Sequence, residues 1–407
     1  MLKLAAPAAI LAAAVCAAGT VPASEYAARR QAIRKGLDSA VLVMYGNTTR
    51  DIDELRTGFY QEPNFYYLTG WKQPGAILLL TPDAETLFLP KRNEAAERYT
   101  GAKVAAGDAD ARGSTGFERV LSVDQFEAEF KSAVANRARL LTVAGRRRDQ
   151  LSKLAPNIET GDATRLLLKA RAVKSPAEIA LIRNAMAVTM DAHRAAWRRI
   201  APGLHEYQVA ASMMFVMHDR NCTTAYIPIV ASGPNATVLH YSENSRRIEN
   251  GDLILMDVAA ACGEYASDVT RTVPANGRFT PRQRELYLAV LGAERAAIAA
   301  VKPGATMQSI NKVARDYLEA HGKLGRYLTH AISHGIGLEA HDAPSHLSGD
   351  PFVPGMVITI EPGVYIPEER LGIRIEDTVL VTDTGVEVLS AALPTGPGAI
   401  EKAIGRK

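Results

Sequence analysis

The chain has 407 residues, of which 47% are hydrophobic, and this length and apolar content suffice for two globular domains. Lys and Arg number 47 against 44 Asp and Glu, so the formal net charge is only +3. The dense basic run Arg146-Arg147-Arg148 has no interleaved aromatic residues. This charge balance disfavours a nucleic acid partner, which would require a basic surface.

Residues 1–23 have the composition of a secretory signal peptide. An early lysine precedes an Ala/Leu/Ile/Val run, and small residues end the segment at Ala23. A membrane anchor is disfavoured because Pro7 and the many alanines leave a run too short and too mildly apolar to span a bilayer. A lipid-modified Cys16 is the alternative, although Val15 is a poor residue before a lipidated cysteine. We therefore predict a secreted or periplasmic protein with no stable membrane span.

Two cysteines, Cys222 and Cys262, remain once that segment is removed. Neither has a Cys or His partner at the spacing of a zinc-binding motif. The favoured interpretation, in the absence of that spacing, is therefore a pair of small buried hydrophobic residues, and two cysteines are too few for a disulfide framework. A single bridge between them would be compatible with export, and the sequence leaves the two states open.

Residues 24–168 predict a small α/β domain. Short apolar runs alternate with turns and helical stretches, and buried strands are predicted at 40–44, 76–80 and 86–89. We find no cluster of catalytic residue types in this region of the sequence.

Residues 172–396 predict a second domain with two similar halves. Ser175 is a capping residue followed by a first-turn proline, which predicts a helix from Pro176 to about residue 200. Thr280 and Pro281 repeat this pattern and predict a helix to about residue 301. Each predicted helix ends at a Pro-Gly pair that leads into a second helix. Two such halves would face one another across a shared site, and residues 397–407 would follow as a tail.

The spacing of two histidines supports this duplication. His240 lies 37 residues after Gly203, and His341 lies 37 residues after Gly304. Strands that carry two carboxylates follow each histidine. One equal spacing is weak evidence alone, since helices, turns and strands alternate in many α/β folds.

A predicted hairpin at 253–268 contains two acids. A two-residue loop at Cys262-Gly263 would place Asp257 directly opposite Asp268. Adjacent carboxylates repel each other unless cations lie between them, and a carboxylate that follows an apolar strand is expected to be buried and paired. We interpret the pair as part of a site for two divalent ions.

The second half contains further candidate ligands on strands. Glu361 ends an apolar strand, and period-two alternation places Arg374 and Glu376 on one face of another strand. Arg374 would hold a ligand carboxylate in position or form a plain salt bridge on the sheet face.

Three histidines, His330, His334 and His341, occur within twelve residues and lie close to glycines. A lone histidine is more often a packing residue than a ligand, but three in such a segment indicate a site. One histidine and four carboxylates suit two ions such as Mn²⁺, Co²⁺, Fe²⁺ or Zn²⁺. The other histidines would then serve proton transfer and transition-state stabilisation.

These residues resemble those of the pita-bread metallopeptidases, the family of methionine aminopeptidase, Xaa-Pro aminopeptidase and Xaa-Pro dipeptidase. The resemblance covers about 172–390, and the segment 59–70 is similar to the N-terminal domain of the proline-peptidase branch. It implies an α+β architecture in which a smaller creatinase-like α/β domain precedes a pseudo-twofold catalytic domain, whose antiparallel sheet is covered by helices. The family's ordered metal ligands match Asp257, Asp268, His334, Glu361 and Glu376.

The resemblance also implies roles for these residues. Two divalent ions, most often Mn²⁺, would share Glu376 as a bridging ligand, a bridging hydroxide would attack the scissile carbonyl, and Glu361 would transfer the proton. His240 matches a substrate-facing histidine, and His341 matches the histidine that stabilises the tetrahedral oxyanion. The predicted catalytic residues are therefore His240, His341 and Glu361. The predicted substrate-binding residues are His240, His330, His341 and Arg374, of which His330 and Arg374 would line the proline side and support Glu376.

The implied activity is that of an Xaa-Pro aminopeptidase, which releases the N-terminal residue from peptides with proline in second position. Xaa-Pro dipeptidases share the motifs and differ mainly in what blocks the C-terminal side of the substrate. A non-catalytic pita-bread module that binds peptides is a more distant alternative, since such relatives lose ligands that are all kept here. The family usually forms oligomers through the N-terminal domain, which implies a homodimer or homotetramer.

Overall fold

The computed structural model describes residues 20–52, 58–343 and 349–404. Most of the predicted signal peptide, residues 1–19, lies outside the described residues. Among the helices that are described, none has both the length and the apolar composition needed to cross a membrane.

The N-terminal region is built on a six-stranded mixed sheet. The predicted strands at 40–44, 76–80 and 86–89 are present with small shifts at their ends. The strands of this sheet are β1 (Ala40–Tyr45), β2 (Ile77–Leu80), β3 (Glu85–Leu89), β4 (Val120–Ser122), β5 (Arg139–Thr142) and β6 (Glu159–Asp162). Their order is β4-β3-β2-β1-β5-β6, with β1, β2 and β3 antiparallel and the outer pairs parallel.

Helices cover both faces of this sheet. They are α1 (Ala23–Lys35), α2 (Pro63–Thr69), α3 (Glu94–Thr100), α4 (Ala111–Thr115), α5 (Phe126–Val134), α6 (Arg146–Leu154) and α7 (Thr164–Ala172). Leu42 and Met44 belong to the core that includes α2, whereas Val41 and Val43 belong to the core that includes α5. Strand β1 is a continuous apolar run because both of its faces are buried.

The second region contains two helix pairs, one in each half. They are α8 (Pro176–Arg199) with α9 (Glu206–Asp219), and α10 (Pro281–Ala300) with α11 (Met307–Ala320). At the start of α8, Ser175 Oγ accepts from the Glu178 backbone N at 3.2 Å, and Glu178 Oε2 accepts from the Ser175 backbone N at 2.9 Å. Thr280 and Gln283 form the same capping box at α10, so both predicted helix starts are confirmed.

Short antiparallel sheets pack with these helices. Their strands are β7 (Thr223–Thr224), β8 (Ile229–Ser232), β9 (Leu253–Asp257), β10 (Ala260–Cys262), β11 (Tyr265–Ala266), β12 (Thr270–Pro274), β13 (Val357–Ile360), β14 (Gly363–Ile366), β15 (Leu371–Arg374), β16 (Asp377–Val381) and β17 (Val386–Val388). The sheet orders are β11-β10-β7, β12-β9-β8, β13-β16-β17 and β14-β15. Short 3₁₀ turns are found at Val123–Gln125, Gly233–Thr237, Leu324–Tyr327 and Pro367–Glu369. The mixed architecture, with an α/β region before a region of antiparallel sheets and helices, agrees with the predicted fold class.

Residues 397–404, within the stretch predicted as a tail, form helix α12 (Pro397–Ile404). Ile400 and Ile404 are buried in the main core of the second region. The Glu401 carboxylate accepts from the Phe279 backbone N at 3.0 Å and pairs with Arg284. This helix is therefore packed against the second region.

The predicted register of the hairpin was wrong. Cys262 pairs with Tyr265, so the loop consists of Gly263 and Glu264, and Asp257 pairs with Thr270 rather than with Asp268. Gly263 has φ +59° and Glu264 has φ 74°. A two-residue turn with positive φ at both central positions matches the twist of the strands, and glycine adopts the first of these angles without strain.

Cys222 and Cys262 form a disulfide with a Cα–Cα distance of 4.6 Å. The sequence left the bridged and unbridged states open, and the structure has the bridge; both residues are buried as predicted. The bond joins the segment after α9 to strand β10, 40 residues apart in sequence.

Candidate active site

A cavity of about 820 Å³ lies where the strand ends of the two halves meet. The residues that line it come from positions 226 to 376, and they include every site residue predicted from the sequence. These predicted residues are His240, Asp257, Asp268, His330, His334, His341, Glu361, Arg374 and Glu376. All of the predicted site residues therefore line one cavity.

Three of the predicted ligands form a compact group. One ligand atom each from Asp268, His334 and Glu376 lies within 4.8 Å of the other two, and all three residues are buried. His334 Nε2 lies 3.6 Å from Asp268 Oδ2 and 3.3 Å from Glu361 Oε1. Carboxylate and imidazole atoms thus point at a common centre, which is the arrangement that a divalent ion requires.

The remaining acid, Asp257, is held beside this group by two side chains. Tyr226 Oη lies 2.5 Å from Oδ1 of both Asp257 and Asp268. Arg374 Nη2 donates to Asp257 Oδ2 at 2.6 Å. The two aspartates therefore meet through one hydroxyl even though they are not cross-strand partners.

His334 is oriented by the backbone around it. Its backbone N donates to Thr359 Oγ1 at 3.1 Å, and the Thr359 backbone N donates to the His334 carbonyl at 2.9 Å. Its Nδ1 lies 3.1 Å from the Gly335 carbonyl, so a proton on Nδ1 leaves the Nε2 lone pair facing the acids. Burial lowers the pKa of His334 to about 4, which favours the neutral form that binds metals.

Ionisation of the buried acids is electrostatically unfavourable. Burial, followed by repulsion from Asp257, raises the pKa of Asp268 well above its usual value. Burial also raises the pKa of Glu361 and that of Glu376, with further contributions from neighbouring carboxylates. A set of four crowded acids and one neutral histidine therefore fits a pair of divalent cations, whose charge would favour the ionised carboxylates.

The other histidines surround this centre. The His341 ring stacks on that of His334, with centroids 4.1 Å apart and an interplanar angle of 18°. His330 Nε2 lies 2.9 Å from Tyr365 Oη, which accepts from Arg374 Nη1 at 2.9 Å. His240 is exposed on the cavity wall.

Arg374 contacts a different acid from the one that the family resemblance implied. Its direct carboxylate partner is Asp257, whereas Glu376 Oε2 accepts from Thr270 Oγ1 at 2.8 Å. Arg374 Nε donates to the same hydroxyl at 3.2 Å, so it reaches Glu376 through Thr270. Its role as a clamp on a ligand carboxylate agrees with the sequence interpretation.

Sequence reasoning missed the polar residues that hold the acids, namely Tyr226, Thr270 and Tyr365. Thr270 had a signal, because alternation along the strand places it on the same face as Asp268. Tyr226 had none, since it lies between strands β7 and β8 with no periodic pattern. The apolar lining residues Ile227 and Leu239 were missed for the same reason.

Comparison with known proteins agrees with this geometry. Residues 180–383 match Metallopeptidase family M24, and residues 26–142 match the Aminopeptidase P, N-terminal domain. The Xaa-Pro aminopeptidase of Haemophilus influenzae is 31% identical over 420 residues, which cover 94% of this chain and 97% of that protein. The Xaa-Pro dipeptidase of Pyrococcus horikoshii is 32% identical over 335 residues, which cover 81% of this chain and 91% of that protein.

Solved structures show the same likeness over nearly the full length. Escherichia coli aminopeptidase P with the inhibitor Pro-Leu has a TM-score of 0.85 at 28% identity, covering 95% of this chain and 99% of that one. The zinc-substituted form of that enzyme, in complex with product, also has a TM-score of 0.85, covering 96% and 100% of the two chains. The fold, the site and these likenesses establish that the chain belongs to metallopeptidase family M24, with an N-terminal domain of the aminopeptidase P type.

Proposed function

We propose that the chain is an Xaa-Pro aminopeptidase that removes the N-terminal residue from peptides with proline in second position. The observation that carries this proposal is the convergence of one histidine and four acids in a single cavity, whose wall also contains His240 and His341. The likeness to Xaa-Pro aminopeptidases over more than nine-tenths of the chain supports the substrate class.

The proposed ligands of two divalent ions are Asp257, Asp268, His334, Glu361 and Glu376. The excess of carboxylate over imidazole ligands favours Mn²⁺, with Co²⁺, Zn²⁺ and Fe²⁺ as alternatives. When bound, such ions supply a water of lowered pKa and polarise the scissile carbonyl.

The side chains of this protein would transfer the proton, stabilise the developing charge and bind the substrate. Glu361 lines the cavity beside His334 and would take a proton from the attacking water and return it to the leaving nitrogen. The exposed His341 lies over His334 and would donate a hydrogen bond to the oxygen that gains charge. His240, at the wall of the cavity, and His330 would contact the substrate, and Arg374 would keep Asp257 in place.

An Xaa-Pro dipeptidase is the second candidate, because a dipeptidase is among the similar proteins and shares the same motifs. The two activities differ in whether the substrate can continue beyond proline. A dipeptide and a longer peptide, both with proline second, distinguish them.

We further propose that the protein is exported and forms a homo-oligomer. Export is supported by the composition of residues 1–23 and by the Cys222–Cys262 disulfide, since such bonds persist in oxidising compartments. Oligomerisation is proposed on family resemblance alone, and light scattering on the purified protein measures it.

The decisive experiment is a peptidase assay with the two peptide lengths and with Mn²⁺, Co²⁺ and Zn²⁺ in turn. We expect metal-dependent release of the N-terminal residue from the longer peptide, and no activity from Asp268→Ala. Cleavage of the dipeptide alone would favour a dipeptidase. A protein that retains neither metal nor activity would favour a peptide-binding module.

A further inference from the structure

His341 is carried by a tight loop, residues 335–343, which we call the histidine loop. The loop is closed by its own backbone, because the Asp342 backbone N donates to the Gly335 carbonyl at 2.9 Å. The same carbonyl lies 3.1 Å from His334 Nδ1. The position of Asp342 is thus linked directly to the two stacked histidines.

The carboxylate of Asp342 fills the inside of this loop. Its Oδ2 accepts from the Leu338 backbone N at 2.9 Å, and its Oδ1 accepts from the Ala343 backbone N at 2.6 Å. A Cβ atom on Gly337 would lie 1.9 Å from Asp342 Oδ2, so only glycine permits this approach. The loop conformation therefore depends on where this carboxylate is held.

Two buried basic side chains, Arg171 on α7 and Lys174 just after that helix, hold this carboxylate. Arg171 Nη2 lies 2.7 Å from Asp342 Oδ1 and donates to Glu339 Oε2 at 2.7 Å. Lys174 Nζ donates to the Ala343 carbonyl at 2.7 Å and lies 4.0 Å from Asp342 Oδ2. Arg171 is 1% exposed and Lys174 is 4% exposed, so water screens these charges poorly.

The same guanidinium also contacts the N-terminal domain. Arg171 Nη1 donates to Asn64 Oδ1 at 2.8 Å, and Asn64 lies in the first turn of α2. Tyr67, further along α2, donates to the Ala170 carbonyl at 2.8 Å. One side chain therefore joins the N-terminal domain to the loop that carries His341.

We propose that Arg171 is a positioning residue for the peptidase reaction, which it serves by holding the histidine loop in register with the N-terminal domain. This inference rests on the proposed function. Catalytic groups must be held to within a fraction of an ångström, and a misplacement of about 1 Å can reduce the rate by about 100-fold. The charge-assisted hydrogen bonds of a buried guanidinium provide this restraint. Arg171 acts through Asp342 and His341 and touches no substrate.

The test is a double-mutant cycle between Arg171→Gln and His341→Ala, with kcat and KM measured on the longer Xaa-Pro peptide. In the wild-type background, we expect Arg171→Gln to lower kcat by about 10- to 100-fold with bound metal unchanged. In the His341→Ala background, Arg171→Gln should lower kcat by less than about 3-fold, because the imidazole that Arg171 positions is absent. Equal losses in both backgrounds, or an unchanged kcat, would overturn the inference.

Arg165→Gln is the matched control, since Arg165 lies on the same helix α7 but is 74% exposed. We expect Arg165→Gln to leave kcat unchanged relative to each background, wild type and His341→Ala. A comparable loss from this control would show a general effect of charge removal from α7 and would contradict the inference.

Asn64→Ala provides a second variant in case Arg171→Gln does not fold, because it keeps the guanidinium and removes the amide that accepts from Arg171 and donates to Glu62. We expect a smaller loss of kcat that also disappears in the His341→Ala background. A loss that persists there would contradict the coupling to the N-terminal domain. Inactivity of the wild-type protein on both peptides would instead contradict the proposed function, so the two failures are distinguishable.

Discussion

Arg374 and Asp257, which lie 117 positions apart in the sequence, are joined by a hydrogen bond of 2.6 Å from Nη2 to Oδ2. Arg374 is buried and also donates to Thr270 and Tyr365. One guanidinium thus fixes an acid from the first half of the catalytic region to a strand of the second half. Residues that orient metal ligands in this way affect metal affinity without touching the ion.

We predict that Arg374→Gln weakens metal binding. Loss of the guanidinium leaves Asp257 among other acids without its cationic partner, and residues that orient ligands typically contribute about 10- to 100-fold in affinity or activity. Titration calorimetry with Mn²⁺ measures the change. Arg370→Gln is the control, since Arg370 is exposed just before strand β15, which carries Arg374. Unchanged metal affinity in Arg374→Gln would contradict the prediction.

We predict that Tyr226→Phe lowers activity while the fold is kept. The change removes the hydroxyl that lies 2.5 Å from both aspartates but leaves the ring in place. We expect kcat to fall by about 10-fold because the two acids lose the hydroxyl that lies between them. Tyr207→Phe, at an exposed position on α9, is the control and should match wild type. A wild-type kcat in Tyr226→Phe would show that the hydroxyl is dispensable.

We predict that the double variant Cys222→Ser/Cys262→Ser is less stable than the wild type. The bond closes a loop between residues 40 apart, for which chain entropy predicts a loss of about 4 kcal/mol in the free energy of unfolding. Denaturant unfolding measures it. A thiol reductant should destabilise the wild type and leave the double variant unchanged. Equal sensitivity of the two proteins to reductant would contradict a stabilising disulfide between Cys222 and Cys262.

We predict that His193 makes the protein acid-sensitive. It is fully buried on α8, and burial lowers its pKa from the usual 6.5 to about 3. Below pH 6.5 the unfolded chain binds a proton that the folded chain does not, so this stabilising contribution is present above 6.5 and is lost as the pH falls towards 3. The loss is at most about 1.4 kcal/mol per pH unit.

The measurement compares unfolding free energies between pH 6 and pH 4 for the wild type and His193→Gln. The variant should show a shallower pH dependence. His218→Gln, at an exposed position on α9, should retain the wild-type slope. An unchanged slope in His193→Gln would mean that other groups cause the acid sensitivity.

Local sequence signals predicted the helix starts correctly, because neighbouring residues form the contacts that define them. Ser175 with Glu178 and Thr280 with Gln283 begin α8 and α10 as expected, because a capping box involves only four consecutive residues. The hairpin register was wrong because two loop positions were equally compatible with the strand pattern. Only the backbone angles at Gly263 and Glu264 distinguish them.

By itself, the sequence determined which residues meet at the site, since the ordered set from Asp257 to Glu376 is specific enough to name the family and all of its members line one cavity. Tertiary structure alone decided what holds them: Tyr226 between two aspartates, Arg374 on Asp257, Arg171 on Asp342, and the disulfide between Cys222 and Cys262. Ligand identity follows from side-chain chemistry, which a sequence records. Supporting contacts join residues from separate elements, so they depend on distances that only the folded chain defines.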